Sequence, residues 1–249
     1  MVKIGLECHV QLNTKSKIFC SCPNAANFEE ELKPNSICCP TCLGLPGAKP
    51  VFNKSVLEKA LKVALALNSV IAEEMFFSRK TYFYPDLPNS YQVTQYEVPL
   101  ASKGNFQGIN IKRLHMEEDP GKLIHYGNYV LIDYNRSGTP LIEIVTEPDF
   151  KSTEEVRIFL QKLLTLLEYL SVYNRKSEAS LRVDANVSTD GERVEIKNIG
   201  SIKDVEKALN YEIERQRSNP VKQQETRGWD ADKGVSYLMR TKETEEDYG

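Results

Sequence analysis

The 249-residue chain is 41% hydrophobic and 27% charged, with a formal net charge of -3, so it holds enough apolar material for one large domain or two small ones. That slight acidic excess excludes a surface that grips nucleic acid chiefly by neutralising phosphates; DNA is not an expected partner, and any RNA contact must be local or shared. The most apolar stretch, Leu57 to Ala72, is broken by Glu58, Lys59, Lys62, Asn68 and Ser69, short of the ~18 unbroken apolar residues a bilayer requires, and Met1 to Leu12 lacks the basic lead of a signal peptide, so a cytoplasmic location without a membrane partner is expected.

In chain order, alternation predicts a first strand over Val2 to Leu12, with Glu7, His9 and Gln11 on one face and Cys8 and Val10 on the other. Adjacent Cys8 and His9 therefore point apart, which argues against a cysteine hydrolase or glutaminase dyad. Five of the six cysteines then fall within 23 residues. Cys20-Ser21-Cys22 and Cys39-Pro40-Thr41-Cys42 form two short knuckles able to surround a zinc ion, with Cys38 as a competing ligand; the alternative is a set of reduced structural cysteines. All-cysteine coordination leaves no open position, so such a zinc is structural. The zinc-loop insertion is placed at about residues 18–48.

Asn53 caps a predicted helix to about Leu67. Strands follow at Ile109 to Glu117, Tyr129 to Tyr134 and Leu141 to Thr146. Ser152 and Glu155 form a capping box ahead of Val156, Phe159, Leu160, Leu163, Leu164, Leu167 and Leu170, which recur at helical spacing. Leu181 to Ser188 and Arg193 to Lys197 read as a hairpin turned by Asp190-Gly191, and a last helix follows Ser201, with Asp204 in the capping position. Runs of strands with irregularly interspersed helices predict an α+β fold on a largely antiparallel sheet, in one compact domain spanning residues 1–249.

Carboxylates inside strand-like segments carry the chemistry. Glu143 lies in Leu141-Ile142-Glu143-Ile144-Val145, and burying it unpaired would cost several kcal/mol by the usual desolvation penalty, so a cation or a wet cleft must face it. Glu118 shares parity with Leu114 and Met116, while Glu117 shares it with His115 and Asp119. Glu7, His9, Glu118 and Glu143 together offer oxygen ligands and an imidazole suited to magnesium beside nucleotide phosphates. Arg182, Asp184 and Asn186, with Glu195 and Lys197 opposite, resemble the polar lining of a catalytic sheet; the alternative is a solvated face with ordinary cross-strand pairs. Arg79 and Lys80 precede the aromatic run Tyr82-Phe83-Tyr84, which is more often core than a base-stacking platform. Neither a P-loop nor a dinucleotide fingerprint is present.

Longer strings carry a resemblance. Ile4-Gly5-Leu6-Glu7-Cys8-His9-Val10-Gln11-Leu12, Arg79-Lys80-Thr81-Tyr82-Phe83-Tyr84-Pro85-Asp86, Leu114-His115-Met116-Glu117-Glu118-Asp119 and the run from Ile132 through Asn135-Arg136-Ser137-Gly138 to Pro148 are similar to the B-subunit family of tRNA-dependent aspartyl/glutamyl amidotransferases. Ser180 to Ser188, Val194 to Asn198 and Gln224 to Arg227 extend the match over nearly the whole chain.

This resemblance implies a glutamine-synthetase-like cradle with helices on its outer face, and ATP and magnesium on the concave sheet face. It implies phosphorylation of the side-chain carboxylate of misacylated Asp-tRNA(Asn) or Glu-tRNA(Gln), then amidation by ammonia from a glutaminase A subunit, with a small C subunit completing a heterotrimer. On matching positions, Glu7, His9, Glu118 and Glu143 are assigned to magnesium and phosphate, with Glu117 in reserve for Glu118. Arg182, Asp184, Glu195 and Lys197 are assigned to the nucleotide and acyl-phosphate site, and Lys80 and Arg136 to phosphate or a channel. The family usually continues past Asp247-Tyr248 into helical and tail domains that this chain is expected to lack. The related archaeal glutamate-specific subunit and a noncatalytic zinc-stabilised tRNA- or partner-binding scaffold are the competing expectations.

Overall fold

The computed structural model describes residues 2–30, 32–174 and 180–241. In chain order these form β1 (Lys3–Gln11), a cysteine-bearing loop with one 3-10 turn (Ala25–Asn27), α1 (Lys54–Ala66), β2 (Val70–Ile71), β3 (Ser78–Thr81), β4 (Tyr91–Thr94), β5 (Ala101–Phe106), β6 (Ile109–Glu118), β7 (Lys122–Tyr126), β8 (Tyr129–Asp133), β9 (Pro140–Thr146), α2 (Thr153–Tyr169), β10 (Leu181–Ser188), β11 (Val194–Ile199), α3 (Ile202–Ser218), β12 (Glu225–Asp230) and β13 (Val235–Thr241). Among the described residues no helix is long and apolar enough to cross a membrane.

One nine-stranded sheet dominates, in the order β13-β12-β11-β10-β1-β9-β6-β5-β2. All its pairings are antiparallel except β11 with β12. The mixed α+β class with a mostly antiparallel sheet thus matches the sequence reading. Two small hairpins, β3-β4 and β7-β8, stand apart from it.

The sheet is two-faced because its strands alternate. Leu6, Cys8 and Val10 of β1, Ile142 and Ile144 of β9, Leu114 and Met116 of β6, and Val183, Ala185 and Val187 of β10 are buried in one apolar cluster with the inner stripes of the helices. Helical spacing supplies those stripes: Val56, Ala60, Val63 and Ala64 on α1, Val156, Phe159, Leu160, Leu163 and Leu167 on α2, and Val205, Ala208 and Leu209 on α3. Phe150 closes the layer, bonded through its backbone to Ile4 and meeting Phe159 edge-to-face at 5.1 Å.

Two bulges keep that segregation intact. In β6 an extra residue, Lys112, lies between the pairs Ile111 with Thr146 and Arg113 with Val145, so Ile111 and Leu114 both face the core although three residues apart. In β11 the pairing jumps from Ile196 with Ala185 to Ile199 with Val183, and Asn198 takes φ 64. Ile199 is thereby turned into the core rather than onto the polar face.

The helix caps follow the sequence. Asn53 accepts from Ser55 N, Ser152 from Glu155 N and Ser201 from Asp204 N. Ser201 is thus the cap of α3 and Asp204 its partner in the first turn. The predicted Asp190-Gly191 turn lies in a longer connection, and Gly191 serves a different purpose there: a Cβ would fall 2.4 Å from Val221 O. Alternation does not predict strands β2 to β5, β7, β12 and β13. Phe83 and Tyr84 are exposed rather than core.

Truncating the bridge between α2 and β1 tests this packing. Phe150→Ala should cost about 3–5 kcal/mol, the usual range for emptying a buried aromatic site, read as a lowered midpoint in urea unfolding; a loss under ~1 kcal/mol would contradict the described core.

Candidate active site

The polar face of the sheet forms the floor of a cleft of about 1360 Å³. Register decides what lines it. Because β1 pairs with β9 on one side and β10 on the other, His9 stands opposite Glu143 and Arg182, and Glu7 opposite Asp184. On β6, His115 and Glu117 point the same way, with His115 directly across from Glu143.

Two groups of ligand-type side chains result. In the first, His9, Glu117 and Glu143 offer atoms within 4.8 Å of one another; His9 Nε2 stands 3.6 Å from Glu117 and 3.8 Å from Glu143. Behind them the buried His115 donates from Nε2 to Glu143 Oε2 at 2.8 Å. Burial opposes a charge on His115, but the Glu143 and Glu117 carboxylates together outweigh it and lift the imidazole to about 9. Burial alone would push Glu143 up; His115, then His9 and Arg113, hold it well below the usual carboxylate range. Thr94 Oγ1 donates to Glu117.

In the second group, Glu7, Asp184 and Glu195 also lie within 4.8 Å of one another. Lys197 fills the space between two of them, 2.7 Å from Asp184 and 2.8 Å from Glu195. These contacts overcome burial and raise the Lys197 ammonium above its ordinary range. Asn186 donates to Glu7 at 2.9 Å and Thr226 to Glu195 at 3.1 Å. Burial first, then the Glu143 charge, raises Glu7.

The remaining predicted residues divide. Arg182 reaches the fully buried Asp119 at 2.8 Å, and Gln11 donates to the other oxygen of the same carboxylate. Lys80, on β3, lines the cleft. Arg136 sits at the back of Asp119, donating to Pro120 O and Gly121 O, and is not among the cleft-lining residues. Glu118 is not brought to the acidic groups either. It turns to the opposite side of β6, accepts from Val93 N, and burial pushes it up to about 7. Its parity with Leu114 and Met116 carries that information, so Glu117 occupies the position that the sequence reading gives first to Glu118. Asp119, His115 and Gln11 lie outside the predicted site set, although their period-two spacing with Glu117, His9 and Glu7 is the signal that marks them.

The four knuckle cysteines, Cys20, Cys22, Cys39 and Cys42, also converge. Cys42 Sγ stands 4.0 Å from Cys22 Sγ and 3.9 Å from Cys39 Sγ, near the ~3.8 Å separation expected of sulfurs around a tetrahedral zinc with bonds of about 2.3 Å. Cys39 N donates to Cys42 Sγ at 3.1 Å. Hydrogen bonding from Cys20 brings the Cys42 thiol down to about 4 against the effect of burial. These residues fit a structural zinc. Cys38 is not in the group; its sulfur lies 3.7 Å from Asn135 Oδ1.

Comparison with known proteins matches residues 2–249 to the family described as the GatB/GatE catalytic domain. Among curated relatives, the B subunit of the aspartyl/glutamyl-tRNA(Asn/Gln) amidotransferase of Methanosarcina mazei is 54% identical, over 99% of this chain and 53% of its own length. The protein of the same name from Methanospirillum hungatei is 52% identical over 98% of this chain and 55% of its own length, and that from Saccharolobus solfataricus 49% over 100% and 56%. The chain spans about half the length of the curated relatives it matches.

The His115–Glu143 pair sets a pH dependence in metal-free protein. His115 is raised above its ordinary value of 6.5, so its contribution is complete below 6.5 and is lost as pH climbs through about 9. Glu143 is lowered from 4.5, so its contribution is lost as pH falls below that value. Urea unfolding should show stability falling by on the order of 3 kcal/mol from about pH 6 to about pH 9.5, and much less in His115→Gln; equal falls in both proteins would refute the pairing.

Proposed function

The chain belongs to the GatB/GatE catalytic-domain family, and on that footing we propose that its cleft activates the side-chain carboxylate of an aspartyl or glutamyl group misattached to tRNA(Asn) or tRNA(Gln). ATP supplies the phosphoryl group, and ammonia from a glutaminase A subunit supplies the nitrogen, with a C subunit completing the assembly. The observation that carries this reading is the convergence of Glu7, His9, Glu117, Glu143, Asp184 and Glu195 with Arg182 and Lys197 on one polar sheet face. That two-faced sheet, helices on one side and cleft on the other, also suits the cradle implied by the sequence.

The chemistry explains why both charges are needed. A carboxylate resists ammonia because oxide would have to leave. When a carboxylate oxygen attacks the γ-phosphorus of ATP, the bond to the bridging oxygen breaks and ADP leaves with its electron pair, giving an acyl phosphate. Ammonia then adds to the acyl carbon, inorganic phosphate departs with the C–O electrons, and the nitrogen loses a proton to give the amide. A divalent ion such as magnesium would neutralise polyphosphate charge, and His9, Glu117 and Glu143, with Glu7 on the other side, would hold it. Arg182 and Lys197 face the phosphates as fixed cations, oriented by Asp119 and by Asp184 with Glu195. Lys80 lines the cleft from β3.

Assembled with its A and C partners and given misacylated tRNA, glutamine and labelled ATP, the protein should release phosphate in a tRNA-dependent manner. Glu7→Gln and Glu143→Gln should each lower that release by about a hundredfold or more, the scale of losing one electrostatic group from a transition state. Glu117→Gln should resemble them, whereas Glu118→Gln should stay within about threefold of the unaltered protein, since Glu118 faces away from the cleft. Full turnover in both Glu7→Gln and Glu143→Gln would remove the acidic groups from the reaction. Retained tRNA binding with no phosphate release by the unaltered protein would instead favour a noncatalytic scaffold.

A further inference from the structure

Lys17 is among the largest side chains with no exposure to solvent at all. Among the described residues no carboxylate lies within ion-pair distance of it; its ammonium donates to Cys42 Sγ at 3.5 Å and to Tyr134 O at 3.3 Å. A buried ammonium without a compensating negative charge is strongly disfavoured, and a single carbonyl dipole does not balance it. The negative charge available to it is the sulfur cluster. Four thiolates around one divalent zinc leave a dianion, so the site has a deficit of positive charge that matches the lysine's surplus.

The surrounding chain fixes the ammonium there. Lys17 N donates to Cys22 O at 3.0 Å, beside one of the ligands, and Lys17 O accepts from Asn53, the cap of α1. Gly138, at φ 80, lies against both partners: its Cβ would sit 3.5 Å from Lys17 Cδ and 3.7 Å from Cys42 Cβ. The lysine stem thus runs between the knuckles and the segment joining β8 to β9, whose left-handed turn at Gly138 suits a glycine. That segment in turn holds the cysteine loop through Ser137 to Cys42 O, and through Asn135 to Ile37 N and Lys33 O.

We propose that Lys17 is the counter-cation of the four-cysteine zinc site, binding the thiolate dianion from its buried side and tying it to the backbone at Tyr134. The role rests on the zinc reading of Cys20, Cys22, Cys39 and Cys42 and adds to it a residue that is no ligand. It accounts for a lysine in a place where packing alone would select an apolar side chain. It also couples the buried charge to the metal: the ammonium meets the fullest negative charge while zinc holds all four sulfurs as thiolates.

The test is zinc competition at fixed pH between the purified protein and a colorimetric chelator, with zinc alone as the probe, alongside thermal melting with and without zinc. Lys17→Met should weaken zinc binding roughly tenfold or more, as loss of a buried charge-assisted contact does. The rise in melting temperature on adding zinc should shrink, the zinc-loaded form losing more stability than the metal-free form. A purely structural lysine would instead lower both forms alike. Should Lys17→Met not fold, Lys17→Gln, which keeps a donor but no charge, is read in the same way. Zinc affinity equal to that of the unaltered protein in the folded variant overturns the role. Failure of the unaltered protein to take up one zinc per chain overturns the metal reading itself, and that outcome is visible before any variant is made.

Discussion

The structure depends on keeping one face of a single sheet dry and the other wet. Every strand that crosses its centre must alternate in step with its neighbours, because a shift of one residue would carry carboxylates into the helix-covered core. β1 sets the phase. Held between β9 and β10, it fixes His9 against Glu143 and Arg182 and Glu7 against Asp184, while Cys8 and Val10 go to the core. The bulges at Lys112 and at Lys197-Asn198 correct the phase at the points where a strict alternation would have failed. Both corrections lie beside the cleft, where a bulge also re-aims a side chain: Lys112 and Arg113 line it together, and so do Lys197 and Asn198.

How much of this is legible in the sequence follows from the same physics. Helices α1, α2 and α3 are readable with their caps, because an apolar stripe at helical spacing and an Asn or Ser ahead of it are local signals. The strands carrying the site are readable where one face is buried against helices. The short strands β2, β3 and β4 and the strand β7 are harder to read, since each is brief and few of their residues meet the core. β12 pairs in parallel across a helical crossover from β11, a long-range choice that no local pattern encodes.

At the residue level, parity is the reliable guide and chemistry by itself is not. Glu117 and Glu118 are chemically identical, yet Glu117 shares the phase of His115 and Asp119 and reaches the cleft, while Glu118 shares that of Leu114 and Met116 and does not. Arg136, in the most distinctive string of the sequence, supports the backbone behind Asp119 instead of facing the cleft. A distinctive motif can thus mark a strap as readily as a ligand. The segment from Asn135 to Gly138 is such a strap, bonded to the cysteine loop on one side and through Gly138 and Thr139 to Asp119 on the other.

The charges of the cleft impose a further condition on the proposed nucleotide. Its strongest cations are already matched: Lys197 by Asp184 and Glu195, Arg182 by Asp119, and His115 by Glu143. Beside these pairs a polyphosphate meets little uncompensated positive charge and also meets Glu7 and Glu117, whereas Lys80, Lys112, Arg113, Arg193 and Arg240 stand elsewhere along the lining. A divalent cation would supply positive charge at the acidic end of the cleft, where His9, Glu117 and Glu143 offer nitrogen and oxygen donors. The same pairing keeps the fixed cations oriented before a substrate arrives, so little reorganisation would remain for the proposed phosphoryl transfer. A cleft lined mainly with unpaired lysines would hold phosphate more tightly, but it would hold ground and transition states alike, and that would not speed the reaction.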